Sequence, residues 1–160
     1  MTRSPHTREQ LTDIYASTQT IAVVGASADP AKPAHQIPSY LHDMGYRILP
    51  VNPRGGELFG EPVRSSLADI GDGIDVVDVF RPPDEAASIA RQAVASGAPV
   101  LWFQPGTETD EAVRIATDAG LTVVTGRCMG ATHAQLGLDP RVPDPDPASE
   151  GPSGRPGSAA

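Results

Sequence analysis

Apolar residues occur along this chain in short continuous runs, separated by longer stretches where they recur every three or four positions. The runs cover 21–24, 46–51, 74–80, 100–103 and 121–125 and are rich in β-branched residues. A short apolar run bounded by turn residues reads as a strand buried on both faces. The intervening stretches predict helices. A leading helix over 7–17 carries Leu11, Ile14 and Tyr15, and a second over 35–44 carries Ile37, Tyr40, Leu41 and Met44. A short helical turn follows over 66–70, and Pro83 opens a helix that buries Ala86, Ile89, Ala90, Ala93 and Val94 before Gly97 stops it. Another helix spans 107–119 with Ala112, Val113, Ile115 and Ala116 inward, and a last short one reaches about residue 138. Strands alternating with helices predict an α/β fold: a doubly wound, five-stranded parallel sheet with right-handed crossovers in a single domain. Residues 1–19 form its helical lead-in and 20–138 the domain. The Pro-, Gly-, Asp- and Ser-rich stretch 139–160 is too poor in apolar surface to offset the entropy of ordering, so it reads as a disordered tail.

The first strand runs directly into Gly25-Ala26-Ser27-Ala28-Asp29-Pro30 and then a helix. Strand, small-residue turn, helix is the arrangement that offers backbone N–H groups and a helix N-terminus to a phosphate. Open parallel sheets bind ligands beyond the carboxyl ends of their strands. The candidate positions are therefore Gly25, Ala26 and Ser27, then Asn52, Pro53 and Arg54, then Phe80, Arg81 and Pro82, then Gln104-Pro105-Gly106 and Arg127-Cys128. A dinucleotide fingerprint requires Gly-x-Gly-x-x-Gly and an acidic residue after the second strand. Here Ser27 and Pro30 stand at the second and third glycine positions, and the second strand ends in Asn52 with Arg54 beyond. An arginine there suits a ribose phosphate, whose oxygens match its fork of donors.

Charge narrows the ligand class further. Twelve Lys and Arg against 20 Asp and Glu give a formal net charge of −8, which disfavours nucleic acid. The single cysteine, Cys128, excludes an internal disulfide framework and fits a reducing compartment. Residues 1–10 lack the apolar core of a signal peptide. No apolar run approaches the roughly 20 residues that cross a bilayer. The expectation is a cytoplasmic protein with a small-molecule ligand, no membrane association and no assigned protein partner.

An ordered series of short motifs then resembles the single-domain CoA-binding proteins. It comprises Val24-Gly25-Ala26-Ser27, Lys32-Pro33, Val51-Asn52-Pro53, Gly60-Glu61-Pro62-Val63 and Val77-Asp78-Val79-Phe80-Arg81, then Trp102-Phe103-Gln104, Ala119-Gly120-Leu121 and Arg127-Cys128. That family is similar in fold to the N-terminal CoA-binding domain of the succinyl-CoA synthetase α subunit, a Rossmann-like domain. The resemblance implies coenzyme A or an acyl-CoA lying across the strand ends. Gly25, Ala26, Ser27 and Ala28 would face the diphosphate, Arg54 or Lys32 would answer the 3′-phosphate, and Phe80, Arg81 and Pro82 would flank the nucleotide or the pantetheine arm. The chain departs from the family pattern at Gly126, where an Asp often precedes Arg-Cys, and at Pro105-Gly106.

No catalytic or metal residues are assigned. Ser27 lacks a nucleophile elbow and an identifiable His partner, so it reads as a phosphate ligand or turn former. Cys128 reads as a buried structural cysteine, the alternative being a mixed disulfide with a thiol ligand. Cys128 and His133 lack the further ligands a metal requires, and His35 and His42 read as surface residues. The rivals to a non-catalytic CoA-binding protein are a nicotinamide-dependent oxidoreductase with a degenerate fingerprint, a CoA-ligase component acting with a separate subunit, and a regulatory sensor using the same pocket.

Overall fold

The computed structural model describes residues 6–141. Its chain order is α1 (Arg8–Ala16), β1 (Thr20–Val24), α2 (Pro33–Asp43), β2 (Arg47–Val51), β3 (Glu57–Leu58), β4 (Glu61–Pro62) and β5 (Val76–Val79), then α3 (Ala86–Ser96), β6 (Val100–Phe103), α4 (Asp110–Asp118), β7 (Thr122–Val124) and α5 (Met129–Leu136). Single 3-10 turns occupy Leu67–Asp69 and Pro83–Glu85. β2, β1, β5, β6 and β7 lie side by side in that order, all parallel, with Ala22 beside Leu49 and Val77, and Val77 beside Leu101. This is the doubly wound α/β sheet that the apolar runs predict.

Alternation along the strands splits the core into two layers. Ala22, Val77, Val79, Leu101 and Phe103 pack with Ile89, Ala90, Ala93, Ala112 and Val113, so α3 and α4 cover one face. Ile21, Val23, Ile48, Val76, Trp102 and Val124 pack with Leu11, Tyr15, Leu41, Met129 and Leu136, so α1, α2 and α5 cover the other. Chain termini of the helices follow capping chemistry. Thr7 and Gln10 form a reciprocal capping box on α1, and Thr109 caps α4, which is why that helix begins at Asp110 rather than at 107. α2 begins two residues earlier than expected because Pro33, with φ already set, occupies its first turn.

The β3–β4 hairpin is an addition to the expected elements. It joins two-residue strands through Phe59 and Gly60, both at positive φ (57° and 78°), and Phe59 packs its ring against His35 (5.2 Å) and His42 (6.2 Å) of α2. At the other end of the domain, the Arg141 N–H donates to the Met44 carbonyl (2.6 Å). The expectation of a disordered tail concerns, from residue 142 on, residues outside those described.

Candidate functional site

The chain leaves β1 toward β2 on one side and later returns to β5 on the other. The strand order therefore reverses between β1 and β5, which is where an open sheet leaves a crevice beyond its strand ends. Two hydrogen bonds extend the ladder one step past β1: Gly25 N–H to Val51 O and Phe80 N–H to Val24 O, both 2.8 Å. The two crossover loops thus leave the sheet side by side. Gly25 has φ +96°, and a Cβ built on it would lie 2.8 Å from Arg81 Cδ and 3.2 Å from the Phe80 carbonyl carbon. Only glycine meets both demands here.

The first loop is held from within. Ser27 N–H donates to Ala34 O, the Ser27 hydroxyl accepts from Asp29 N–H (3.0 Å), and Asp29 Oδ1 accepts from Ala31 N–H (2.9 Å). His35 Nδ1 donates to Ser27 O (2.7 Å), and Asn52 Nδ2 donates to Ala26 O (2.9 Å) while its Oδ1 accepts from Arg54 N–H. Asn52 therefore ties the end of β2 to the loop, and His35, expected at the surface, is half-buried and performs a matching role from α2. Gly25 and Ser27 have committed their amides. Among the described residues the N–H groups of Ala26 and Ala28 have no acceptor, nor does that of Ala34 in the first turn of α2. That turn has no acidic residue and no side-chain cap. These amides, with the helix dipole, make the loop receptive to an anion.

Cationic and apolar groups surround it. Arg81 closes over Gly25, and its Nη2 and Nε are held by Glu85 at 2.6 and 3.1 Å. The guanidinium hydrogen bonds keep the Glu85 carboxyl below its usual range. Both side chains are 43% exposed, so the pair orients Arg81 more than it stabilises the fold. Lys32 and Arg54 are exposed, and their side chains make no ion pair among the described residues. Phe80 is half-buried beneath the rim, while Pro53 and Pro82 are exposed on it.

Gln104 points elsewhere. It is 5% exposed, and its Nε2 donates to Asp78 Oδ1 (2.6 Å) inside the layer that holds α1, α2 and α5. Asp78 sits in the central strand, fully buried, and Oδ2 has no partner. Burial pushes its carboxyl up to about 7, with the Gln104 donor and the Val79 backbone pulling the other way. His133 of α5 is equally buried, ringed by Tyr15, Tyr40 and Tyr46 at 5.2, 5.5 and 5.7 Å. Its Nδ1 is hydrogen-bonded to the Tyr40 hydroxyl (2.9 Å), its Nε2 is unpartnered, and burial lowers its pKa. Burial, reinforced by the Asp78 charge, likewise keeps the Tyr15 phenol protonated, and it donates to Met129 O (2.6 Å). Sequence reasoning missed this buried polar cluster, although an Asp inside an apolar run is a visible signal. Cys128 is half-buried at the N-cap of α5, with its Sγ accepting from Ala131 N–H (3.5 Å).

Two depressions, of about 230 and 320 Å³, lie against α1, and neither is lined by a residue of the first loop, of Asn52–Arg54 or of Phe80–Pro82. Among the described residues no group of three His, Cys, Asp or Glu side chains is placed to hold a metal, and no helix is long and apolar enough to cross a membrane.

Known proteins share this frame. Residues 19–134 match the CoA binding domain family. The uncharacterized protein YneT of Bacillus subtilis is 35% identical over 127 residues, covering 79% of this chain and 94% of YneT. A solved structure of a hypothetical protein from Pyrococcus horikoshii superposes with a TM-score of 0.81 at 38% identity, covering 86% of this chain and 99% of that one. An ADP-forming acetate–CoA ligase of Methanocaldococcus jannaschii is 25% identical over 130 residues, 76% of this chain but 18% of the ligase. With more than two thirds of its length inside the matched span, the chain belongs to the CoA-binding domain family.

Proposed function

We propose that this protein binds coenzyme A or an acyl-CoA across the carboxyl ends of β1, β5 and β6, in the cytoplasm and without catalysis of its own. The observation that carries this reading is the close approach of Gly25 and Arg81 at the switch point. It lays the Arg81 stem over Gly25 and brings the guanidinium to the first loop, next to the amides of Ala26 and Ala28. A diphosphate rests there, and Arg54 or Lys32 meets the 3′-phosphate through charge-assisted hydrogen bonds. The position of Arg54 just after β2, where a nicotinamide-nucleotide fold places an acid, supports CoA over NAD. The displaced titrations of Asp78 and His133 belong to buried core groups away from the rim, which supports binding rather than catalysis.

A second reading is favoured by the acetate–CoA ligase likeness: the chain serves as the CoA-holding part of an assembly whose other subunit does the chemistry. Thermal melting tests the first. CoA should raise the midpoint and NAD or NADP should not; a ligand at a hundredfold excess over its Kd stabilises by about 2.7 kcal/mol. Stabilisation by NAD with none by CoA would refute the proposal. Acyl-CoA synthesis by the chain together with a co-purified ATP-using subunit would establish the second.

A further inference from the structure

A cavity of about 230 Å³ lies between the start of α1 and the face of α5, lined by His6, Arg8, Leu11, Arg127, Thr132, Gln135 and Leu136. No carboxylate lines it, in a chain whose formal net charge is −8. The Arg8 guanidinium is held from behind, and Arg127 is anchored through its backbone. Arg8 Nη2 donates to Leu136 O (3.0 Å), and the Arg127 carbonyl accepts from the indole of fully buried Trp102 (2.8 Å). The Arg127 side chain has no acceptor among the described residues. His6 Nε2 donates to Val123 O (2.9 Å), so Nδ1 is the ring atom left for a ligand. Thr132 is 2% exposed, lines the cavity, and its hydroxyl makes no hydrogen bond among the described residues. Leu11 and Leu136, both buried, supply an apolar floor.

One oriented and one unengaged guanidinium, an imidazole, an amide and the unpartnered hydroxyl of Thr132 over an apolar floor are the donor set for a phosphoryl group carrying a hydrocarbon body. We propose that this cavity is a second ligand site, separate from the switch-point crevice, and that it takes a small phosphate monoester. It shares no residue with Gly25–Ala28, Asn52–Arg54 or Phe80–Pro82, and of the strand-end candidates it includes Arg127, past the edge strand β7. The site therefore stands whether or not CoA occupies the crevice.

The probe is phenyl phosphate, titrated at constant ionic strength into the ¹⁵N-labelled full chain, with inorganic phosphate and benzoate as parallel titrants. Saturable shifts should centre on the Arg8 and Arg127 side chains and on Thr132 and Gln135. Phenyl phosphate should bind more tightly than inorganic phosphate, and benzoate more weakly than phenyl phosphate. Arg127→Gln should weaken phenyl phosphate by about tenfold or more, the loss expected when a charged hydrogen-bond partner is removed, whereas Arg81→Ala should leave it unchanged. Thr132→Val serves as a second variant, its fold checked by melting, and should weaken binding by severalfold. Shifts confined to residues 25–32, 52–54 and 81, equal binding in Arg127→Gln, equal affinity for benzoate, or no saturable shift with any titrant would each overturn the proposal.

Discussion

The α-carbon of Gly25 sits beneath the aliphatic stem of Arg81: a methyl group on it would stand 2.8 Å from Cδ and 3.1 Å from Cγ. The last residue before the first crossover and the residue just past the third sheet strand in sequence are thereby locked together. The contact joins the two halves of the doubly wound sheet at the point where their strand order reverses. It also sets how near a ligand comes to the backbone.

Gly25→Ala tests this contact. The backbone at φ +96° strains any L side chain, at a cost on the order of 1–3 kcal/mol, and the new methyl also presses on the Phe80 carbonyl carbon 3.2 Å away. Denaturant unfolding should show that loss, and CoA titration should show binding weakened beyond detection. Adding Arg81→Ala removes the overlap with the stem but neither the strained φ nor the backbone contact. The double variant should recover only part of the stability and none of the binding.

Glu85 occupies the fork of Arg81 that a phosphate would take. Replacing it by Gln removes a like charge from beside the ligand phosphates and leaves the guanidinium less engaged. An exposed i,i+4 pair is worth only about 0.3–0.5 kcal/mol, so the melting temperature in the absence of ligand should barely move. Calorimetric titration of Glu85→Gln should give tighter CoA binding by about two- to fivefold at low salt, with the gain shrinking as salt screens the charges. Unchanged affinity would mean that Arg81 serves packing alone.

Arg54 is exposed, and among the described residues it is tied by its own N–H, which donates to Asn52 Oδ1 (2.7 Å). If its guanidinium meets the 3′-phosphate of CoA, Arg54→Ala should weaken CoA by about tenfold while leaving dephospho-CoA nearly untouched. Equal losses for both ligands would move that contact to the diphosphate, and Lys32→Ala should then carry the discrimination.

Much of this frame is legible in the residues. Ile21 to Val24 and Val100 to Phe103 are continuous apolar runs because helices cover both of their faces, and glycines mark where the helices end. The β3–β4 hairpin is not legible: each strand is two residues long, too short for any period, and Phe59 is not a residue that favours positive φ. The crevice residues were legible as a set because strand ends can be counted, but not their individual tasks. Asn52 and His35 brace the loop through backbone carbonyls, which no spacing encodes. Gln104 turns inward because Asp78 waits there, a partner set by strand register. The Arg81–Glu85 pair, four residues apart across the start of α3, is one that charge spacing does signal.

Asp78 makes stability depend on pH in an unusual direction. Its carboxyl titrates near 7 in the fold and near 3.9 in the unfolded chain. Between those values the folded state keeps a proton that the unfolded state has released, so stability is full below about pH 4, falls as pH rises toward 7, and levels off above it. His133 works the opposite way: with its pKa lowered by burial, it withdraws stability as pH falls below the unfolded imidazole value near 6.5. The two trends offset each other in mildly acidic solution, so the wild-type profile alone does not separate them. Asp78→Asn does, because it keeps an acceptor for the Gln104 amide and removes only the ionisable group. Urea unfolding at half-unit steps from pH 4.5 to 8 should show the variant gaining on the wild type steadily up to about pH 7 and exceeding it by a few kcal/mol above that. A constant difference across the range would mean that Asp78 stays in one charge state throughout and that its unpartnered oxygen is stabilised by something other than a proton.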